Sequence, residues 1–370
     1  MTRIVVLCDG TWNSPDMEDT THVHALSQLL AQDGDQIVKY FNGVGVNDPQ
    51  EQNGTFVGRG INRVLGGATG FGLGKKVREA YKFIADNYKD GDEIYLFGFS
   101  RGAYTARSVA GMIRKCGIIE NTGAWSLRRA FNLYRKTGEQ NHPDRIVIRD
   151  ARARMSPKFA TSTKDQETRK DGPVPLVNIA YVGVWDTVGA KGIPTPLFGI
   201  FAKLYNRRYA FHDAELSSLV RSARHAVAVD ERRVFYVPTL WDNIDALNEK
   251  RSGEPYQQKW FVGDHGVVGG SVNTDDVSCF TLKWIAEGAT ALTYQPGKSL
   301  EHASANASAD LHRLNEDPGT IYKIARDLLQ WRNGIERDVD TDPTVRDRVQ
   351  NRGDYRPDSL SKVLPAWLQP

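Results

Sequence analysis

The stretch GDEIYLFGFSRGAYTAR, residues 91–107, decides the fold. Its first part, residues 93–99, is apolar without alternation, which is typical of a strand buried on both faces of a parallel sheet. The turn at residues 100–102 leads directly into a helical pattern over residues 103–115. A buried strand followed by a sharp turn and a helix predicts an α/β fold with a parallel sheet.

The same alternation continues along the chain and predicts further elements. Strands are predicted at Ile4–Cys8, Ile37–Phe41, Val177–Trp185 and Gln258–Val262, and helices at Lys75–Tyr88 and Leu216–Val229. We expect an α/β fold with a mostly parallel, doubly wound sheet and helical insertions that form a cap. The insertions fall at about 120–174 and 190–215, within a main domain over residues 1–300. Residues 301–370 are expected to form a helical or irregular extension packed on that domain.

Composition excludes several classes of protein. The 370 residues are 40% hydrophobic and 25% charged, values that support a sizeable core. A net charge of +3 and the absence of basic runs exclude a typical nucleic-acid partner. The three cysteines are widely separated and form no CxxC pair, which excludes a disulfide framework and indicates a reducing compartment. Because no apolar run resembles a membrane helix or a signal peptide, we predict a cytoplasmic protein.

The sequence Gly98-Phe99-Ser100-Arg101-Gly102 matches the G-x-S-x-G pattern of a nucleophile elbow. Its position between a buried strand and a helix is the context that this motif requires. The two glycines leave room for a strained turn that presents the Ser100 hydroxyl above the sheet edge. The alternative is a glycine-rich turn with an incidental serine.

A nucleophilic serine needs a base and an acid that orients the base. In hydrolases with this motif the chain order is Ser, then Asp or Glu, then His. Asp186 directly follows one predicted strand and His265 follows another, so both are expected at the same sheet edge as Ser100. A turn aspartate and a loop histidine are the structural alternatives. His225, within the predicted helix 216–229, is interpreted as a packed histidine.

The developing oxyanion needs hydrogen-bond donors. The backbone N–H of Arg101 is the first candidate, and the second is expected from the turn Gly10, Thr11 and Trp12. No His, Cys or carboxylate cluster has metal-ligand spacing, so neither a metal nor another cofactor is expected.

The apolar stretch over residues 194–205 has two interpretations. It is either a buried cap element or a lid in which Leu197, Phe198 and Phe201 meet an acyl chain or a membrane surface. If the stretch is a lid, we expect the substrate to be a lipid ester and the protein to make a peripheral contact with a membrane surface.

Blocks along most of the chain carry a family resemblance. They are DGTWN (9–13), YFNGVG (40–45), the block at 91–107, VWDTVG (184–189) and HAVAVDERR (225–233). On these residues the chain resembles the uncharacterised α/β-hydrolase domain family that includes the first class of type VI secretion lipase effectors, which are bacterial phospholipases. The resemblance implies a serine esterase with Ser100 as nucleophile, Asp186 as acid and His265 as base, and adds export by a dedicated secretion system as an alternative localisation.

The chain departs from the family after the histidine. The family usually has Ser and Asp there, and this chain has Gly266 and Val267. The departure leaves a second hypothesis, a catalytically weak or inactive hydrolase fold that acts as a binding or scaffolding module. The first hypothesis is a serine hydrolase that cleaves carboxylic esters, including lipid or phospholipid acyl esters, through an acyl-enzyme. The sequence does not fix an oligomeric state.

Overall fold

The computed structural model describes residues 1–10, 21–43, 72–170, 172–189, 215–270, 275–300 and 329–368. The strands are β1 (Arg3–Cys8), β2 (Gln36–Phe41), β3 (Glu93–Phe99), β4 (Ile179–Trp185), β5 (Val220–Ala228) and β6 (Tyr256–Phe261). The helices are α1 (His22–Leu29), α2 (Leu73–Asn87), α3 (Arg101–Cys116), α4 (Ala124–Tyr134), α5 (Ile146–Met155), α6 (Thr163–Gln166), α7 (Ile244–Asn248), α8 (His265–Gly269), α9 (Asp275–Glu287), α10 (Pro343–Asn351) and α11 (Leu364–Trp367).

Within these residues the strands form one sheet in the order β2-β1-β3-β4-β5-β6, and every neighbouring pair is parallel. The predicted α/β fold with a mostly parallel sheet is therefore confirmed. The chain extends the sheet from β1 to β2 and then returns to place β3 on the other side of β1. Ligand sites of open α/β sheets lie at the carboxyl ends of the strands beside such a change of direction.

Helices cover both faces of the sheet because successive strand side chains point to opposite sides. Ile4 and Val6 of β1 pack in one buried cluster with side chains of α2 and α3. Val5 and Leu7 pack in a second cluster with α1 and α9. This division explains why β1 and β3 lack alternating polarity: both of their faces are buried.

The helix predicted at Leu216–Val229 is wrong. Residues 220–228 form β5, a central strand that pairs with β4 and β6. Its last four residues are all buried, so the strand shows no polar alternation. Alanine and arginine, good helix formers, fill much of the segment, and the sheet overrides that preference.

Two regions outside the central sheet bear on the sequence predictions. Helices α4, α5 and α6 lie in the insertion predicted at 120–174, where the fully buried side chains of Arg152 and Asp165 pair at 2.8 Å. The insertion predicted at 190–215 lies outside the described residues except for Glu215. In the C-terminal segment, Ile335 and Val345 pack in one cluster with Trp260 of β6. The domain boundary near residue 300 stays a prediction.

Cys8, Cys116 and Cys279 are thiols and form no disulfide. Among the described helices, none is long and apolar enough to cross a membrane. Cytoplasmic localisation stays a prediction from the sequence.

Candidate active site

Ser100 lies in the sharp turn between β3 and α3. Its backbone has φ 56° and ψ −121°, a region that costs a non-glycine residue about 1–3 kcal/mol. Three backbone hydrogen bonds hold the turn. The Ser100 N–H donates to the Trp185 carbonyl at 3.0 Å, and the Ser100 carbonyl accepts from the N–H groups of Tyr104 at 3.2 Å and Val188 at 3.4 Å. Strain that the surrounding structure maintains is typical of functional positions.

The two motif glycines allow three backbones to approach closely at this turn. A Cβ on Gly98 would collide with backbone atoms of Gly102 and Ala103 in the first turn of α3. A Cβ on Gly102 would collide with the carbonyl oxygens of Cys8 and Asp9 at the end of β1. Glycine at both positions therefore lets α3 begin directly above the edge of the sheet.

Three side chains from separate strand ends form one hydrogen-bonded series. His265 Nε2 lies 2.8 Å from Ser100 Oγ, and His265 Nδ1 lies 2.5 Å from Asp186 Oδ2. All three residues are buried, with exposed fractions of 4% for Ser100, 6% for His265 and 0% for Asp186. The structure thus brings together the nucleophile, base and acid candidates named from the sequence, which lie 165 and 79 positions apart along the chain.

Two aromatic rings lie close to the His265 ring. The centroids of Phe99 and Tyr236 each lie 4.6 Å from the centroid of His265. At the start of α8, Asp264 caps the helix by accepting from the Val267 N–H at 3.0 Å. The His265 N–H donates to Glu231 Oε2 at 3.2 Å. The loop that departs from the family pattern is therefore fixed by Asp264 and Glu231, and the imidazole remains in contact with Ser100 and Asp186.

Glu231 belongs to the cluster Asp230-Glu231-Arg232-Arg233. Both of its carboxylate oxygens accept from Arg233, at 2.8 Å from Nε and 2.5 Å from Nη2. Burial would raise the pKa of Glu231, but the hydrogen bond and charge of Arg233 outweigh burial and lower it. Glu231 is therefore an ionised anchor for the segment that carries His265.

Asp186 is a second non-glycine residue with positive φ, 36°. Its carboxylate accepts from Arg332 Nη1 at 2.6 Å, from Arg332 Nη2 at 2.8 Å and from the Ala228 N–H at 3.0 Å, besides its contact with His265. Burial would raise the pKa of Asp186, but the Arg332 charge and the hydrogen bonds from His265 and Arg332 hold it well below its usual range. Asp186 is thus a carboxylate at neutral pH.

Two of the oxyanion candidates lie at neighbouring strand ends. Arg101 is the first residue of α3, where the backbone N–H groups point out of the N-terminus of the helix. The Gly10 N–H, after β1, donates to Asp9 Oδ1 at 2.6 Å. In this conformation the Gly10 amide is engaged, and its predicted role as a donor requires that bond to break. Thr11 and Trp12 lie outside the described residues.

Asp9 anchors the turn after β1. Its Oδ2 accepts from Thr21 Oγ1 at 2.6 Å and from the Tyr40 hydroxyl at 2.5 Å. The side chain therefore ties the carboxyl ends of β1 and β2 to the start of α1.

His225 is a packed histidine, as interpreted from the sequence, although it lies on a strand. Its Nε2 accepts from the Thr187 N–H at 3.1 Å, and its Nδ1 lies 2.9 Å from Gln258 Oε1. Burial, reinforced by the Arg107 charge, lowers the pKa of His225 to about 3. A neutral ring with both nitrogens engaged is suited to support the turn after Asp186.

Comparison with known proteins then identifies the family. Residues 2–288 match the family model for the catalytic domain of Tle1-like phospholipase effectors of the type VI secretion system. The chain belongs to this family. The match confirms the resemblance noted from the sequence. Ser100, Asp186 and His265 lie inside the matched range, and Arg332 lies beyond it.

The individual proteins that the chain resembles share less than 30% sequence identity with it. An uncharacterized protein of Saccharomyces cerevisiae is 29% identical over 236 residues, covering 62% of this chain and 31% of that protein. The chain thus spans about a third of that relative's length. The crystal structure of an uncharacterized protein from Pseudomonas aeruginosa has 13% identity and a TM-score of 0.43, covering 83% of this chain and 49% of its own. The Tle1 effector bound to the VgrG spike of the type VI secretion system has 17% identity and a TM-score of 0.34, covering 74% and 51%.

Two further predictions from the sequence concern the lid and a bound metal. The lid candidates Leu197, Phe198 and Phe201 lie outside the described residues. Among the residues that are described, no group of three His, Cys, Asp or Glu side chains could hold a metal ion. The site has one strong contact that the sequence did not suggest, the pairing of Arg332 with Asp186. No motif surrounds Arg332, and 146 positions separate it from its partner.

Proposed function

We propose that this protein hydrolyses carboxylic esters of lipids through an acyl-enzyme, with Ser100 as nucleophile, His265 as general base and Asp186 as the acid that orients it. The observation that carries the proposal is the continuous hydrogen-bonded series from Ser100 Oγ through both nitrogens of His265 to Asp186. Family membership supports the lipid ester as substrate. A buried, strained serine joined to a histidine and a carboxylate is the arrangement that activates an alcohol as a nucleophile.

The hydrogen bonds of the three side chains support a role for each proton. Asp186 accepts from Nδ1 of His265, so the ring presents the lone pair of Nε2 to the Ser100 hydroxyl. Ser100 Oγ attacks the acyl carbon while its proton passes to Nε2, and Asp186 stabilises the imidazolium that forms. The negative oxygen of the tetrahedral intermediate would accept from the Arg101 N–H at the positive end of α3.

Collapse of the intermediate breaks the bond between the acyl carbon and the alcohol oxygen. His265 returns its proton to the departing alcohol, which leaves the acyl group on Ser100. Water then attacks the acyl-enzyme with His265 again as base, and collapse releases a carboxylic acid and restores Ser100. A phospholipid would therefore yield a fatty acid and a lysophospholipid.

The test is product analysis on phospholipid vesicles and on short-chain esters. The wild type should release fatty acid, and Ser100→Ala should lower the rate by several orders of magnitude. Ser222→Ala is the matched control, because the Ser222 hydroxyl donates to a strand carbonyl at 3.3 Å and lies outside the triad. Release of a free head group with diacylglycerol, or equal rates for wild type and Ser100→Ala, would contradict the proposal.

A further inference from the structure

The Arg332 guanidinium lies against the carboxylate of Asp186. Its two terminal nitrogens contact the two oxygens of Asp186 separately, at 2.6 and 2.8 Å. This is the paired geometry in which arginine binds carboxylates most strongly. Both partners are buried, with side-chain exposure of 4% for Arg332 and 0% for Asp186.

The same guanidinium is fixed by two backbone carbonyls. Nη1 donates to the Ala228 carbonyl at 3.0 Å, and Nη2 donates to the Tyr236 carbonyl. Ala228 ends β5, and Tyr236 contributes one of the rings that lie close to His265. Arg332 thus connects Asp186 with the end of β5 and with the backbone of Tyr236, whose ring contacts His265.

The contacts leave the Asp186 carboxylate one orientation. Oδ1 accepts from Arg332 and Ala228, and Oδ2 accepts from Arg332 and His265. Rotation of the carboxylate would break at least two of these bonds. The lone pair that accepts the hydrogen bond from the Nδ1–H of His265 is therefore held in place by Arg332.

Charge gives a second reason for this contact. A buried carboxylate requires a positive partner, since burying an isolated ion is strongly unfavourable. When His265 is neutral, as a general base must be at rest, Arg332 supplies that charge. Without Arg332, the negative charge of Asp186 can be balanced only by a proton bound to His265 or to Asp186 itself. In either case His265 can no longer act as the general base.

Other charged groups near the base are already engaged. Arg233 is paired with Glu231, which also accepts from the His265 N–H. Asp264 caps α8, and burial, strengthened by the Glu231 charge, raises its pKa above the usual value. His225 is neutral, and Arg107, which lies near it, donates to a carbonyl at Thr239. Among the residues that the structure describes, Arg332 is the cation bonded to Asp186.

We infer that Arg332 is a positioning residue of the active site: it orients Asp186 and keeps it ionised, so that His265 rests as a neutral base. The inference rests on the proposed function. It also means that the site is completed from outside the family-matched residues 2–288. The segment that supplies it docks through an antiparallel bridge between Arg233 and Leu329, and the Gln330 N–H donates to the Arg232 carbonyl at 2.6 Å.

The test is the pH dependence of ester hydrolysis by the full chain with Arg332→Gln. Loss of the cation should move the acidic limb of kcat/KM to higher pH by about one unit or more, since a neighbouring opposite charge shifts titrations by that amount. The rate at neutral pH should fall about 10-fold or more and recover in part at high pH. A loss that is equal at every pH would reduce Arg332 to a structural role and overturn the inference.

Two further variants keep the test decisive if Arg332→Gln folds poorly. Arg332→Lys retains the charge without the paired geometry, so it should keep the acidic limb near that of the wild type while lowering kcat. Arg332→Gly should be activated by added guanidinium ion, and no activation in a folded protein would contradict the inference.

Arg152→Gln is the matched control. Arg152 forms a fully buried pair with Asp165 in the insertion, away from the triad. Its loss should lower the thermal midpoint and leave the pH profile unchanged. A wild type that hydrolyses no ester would defeat the proposed function itself, whereas an active wild type with an unaltered Arg332→Gln profile would defeat only the role of Arg332.

Discussion

Replacing Asp186 with Asn should abolish most of the activity while leaving the shape of the site intact. Each oxygen of Asp186 faces two donors: Arg332 and the Ala228 N–H on one side, Arg332 and His265 on the other. An amide has only one accepting atom, so its NH₂ group must oppose donors whichever way it turns. If it turns toward His265, the ring proton must move to Nε2, the nitrogen that accepts from Ser100.

The magnitude follows from the loss of that tautomer. In the serine protease template the same change costs about 10⁴-fold in kcat, which corresponds to about 5.5 kcal/mol in the activation free energy. Stability should fall as well, because Arg332 is left buried without its anion. Breaking one partner of a buried pair costs about 3–5 kcal/mol in the free energy of unfolding.

The assay is steady-state ester hydrolysis alongside urea denaturation, with Asp165→Asn as the matched control. Asp165 is also fully buried and accepts from an arginine, Arg152, at 2.8 Å, but it lies outside the triad. The control should lose comparable stability and retain its rate. A folded Asp186→Asn protein with a rate within tenfold of the wild type would refute the reasoning.

Two other perturbations test the fold beneath the site. Gly102→Ala should lower both the urea midpoint and the activity, because the added Cβ would collide with backbone carbonyls at the end of β1. Gly34→Ala is the control and should change neither, because the space around Gly34 is open. Equal urea midpoints for the two variants would contradict the close approach of α3 to β1. Burial lowers the pKa of both His22 and His225 to about 3, well below the ~6.5 of a histidine in the unfolded chain. Between these two values the unfolded chain binds more protons than the folded protein. The free energy of unfolding should therefore fall as the pH drops from about 6.5 toward 3. Urea midpoints measured at pH 7 and 5 should therefore differ, with a smaller difference in His225→Gln, and equal wild-type midpoints would contradict neutral burial of these rings.

The sequence predicted the centre of the fold well because the physics there is local. The continuous apolar runs of β1 and β3 reflect burial on both faces, and the predicted bounds of β3, Glu93–Phe99, agree with the structure. The glycine-flanked serine could be placed because a strand, a sharp turn and a helix follow one another directly in sequence. That Asp186 and His265 lie beside Ser100 could be predicted from their positions just after strands.

The sequence failed where the decisive interactions are long-range. In β5 the arrangement of alanines and larger apolar residues fits a helix, and only pairing with β4 and β6 makes the segment a strand. Arg332 carries no local signal, because an arginine at a polar stretch near the chain end resembles any exposed arginine. The engagement of the Gly10 N–H by Asp9 is likewise a matter of side-chain geometry that residue types do not reveal.

The most direct test of the account is reaction of the folded protein with a fluorophosphonate, followed by intact-mass measurement and peptide mapping. A serine activated by His265 should form one covalent adduct per chain, on the peptide that contains Ser100, and Ser100→Ala should form none. Folded wild-type protein that stays unmodified, or an adduct on another residue that persists in Ser100→Ala, would contradict the assignment of Ser100 as nucleophile.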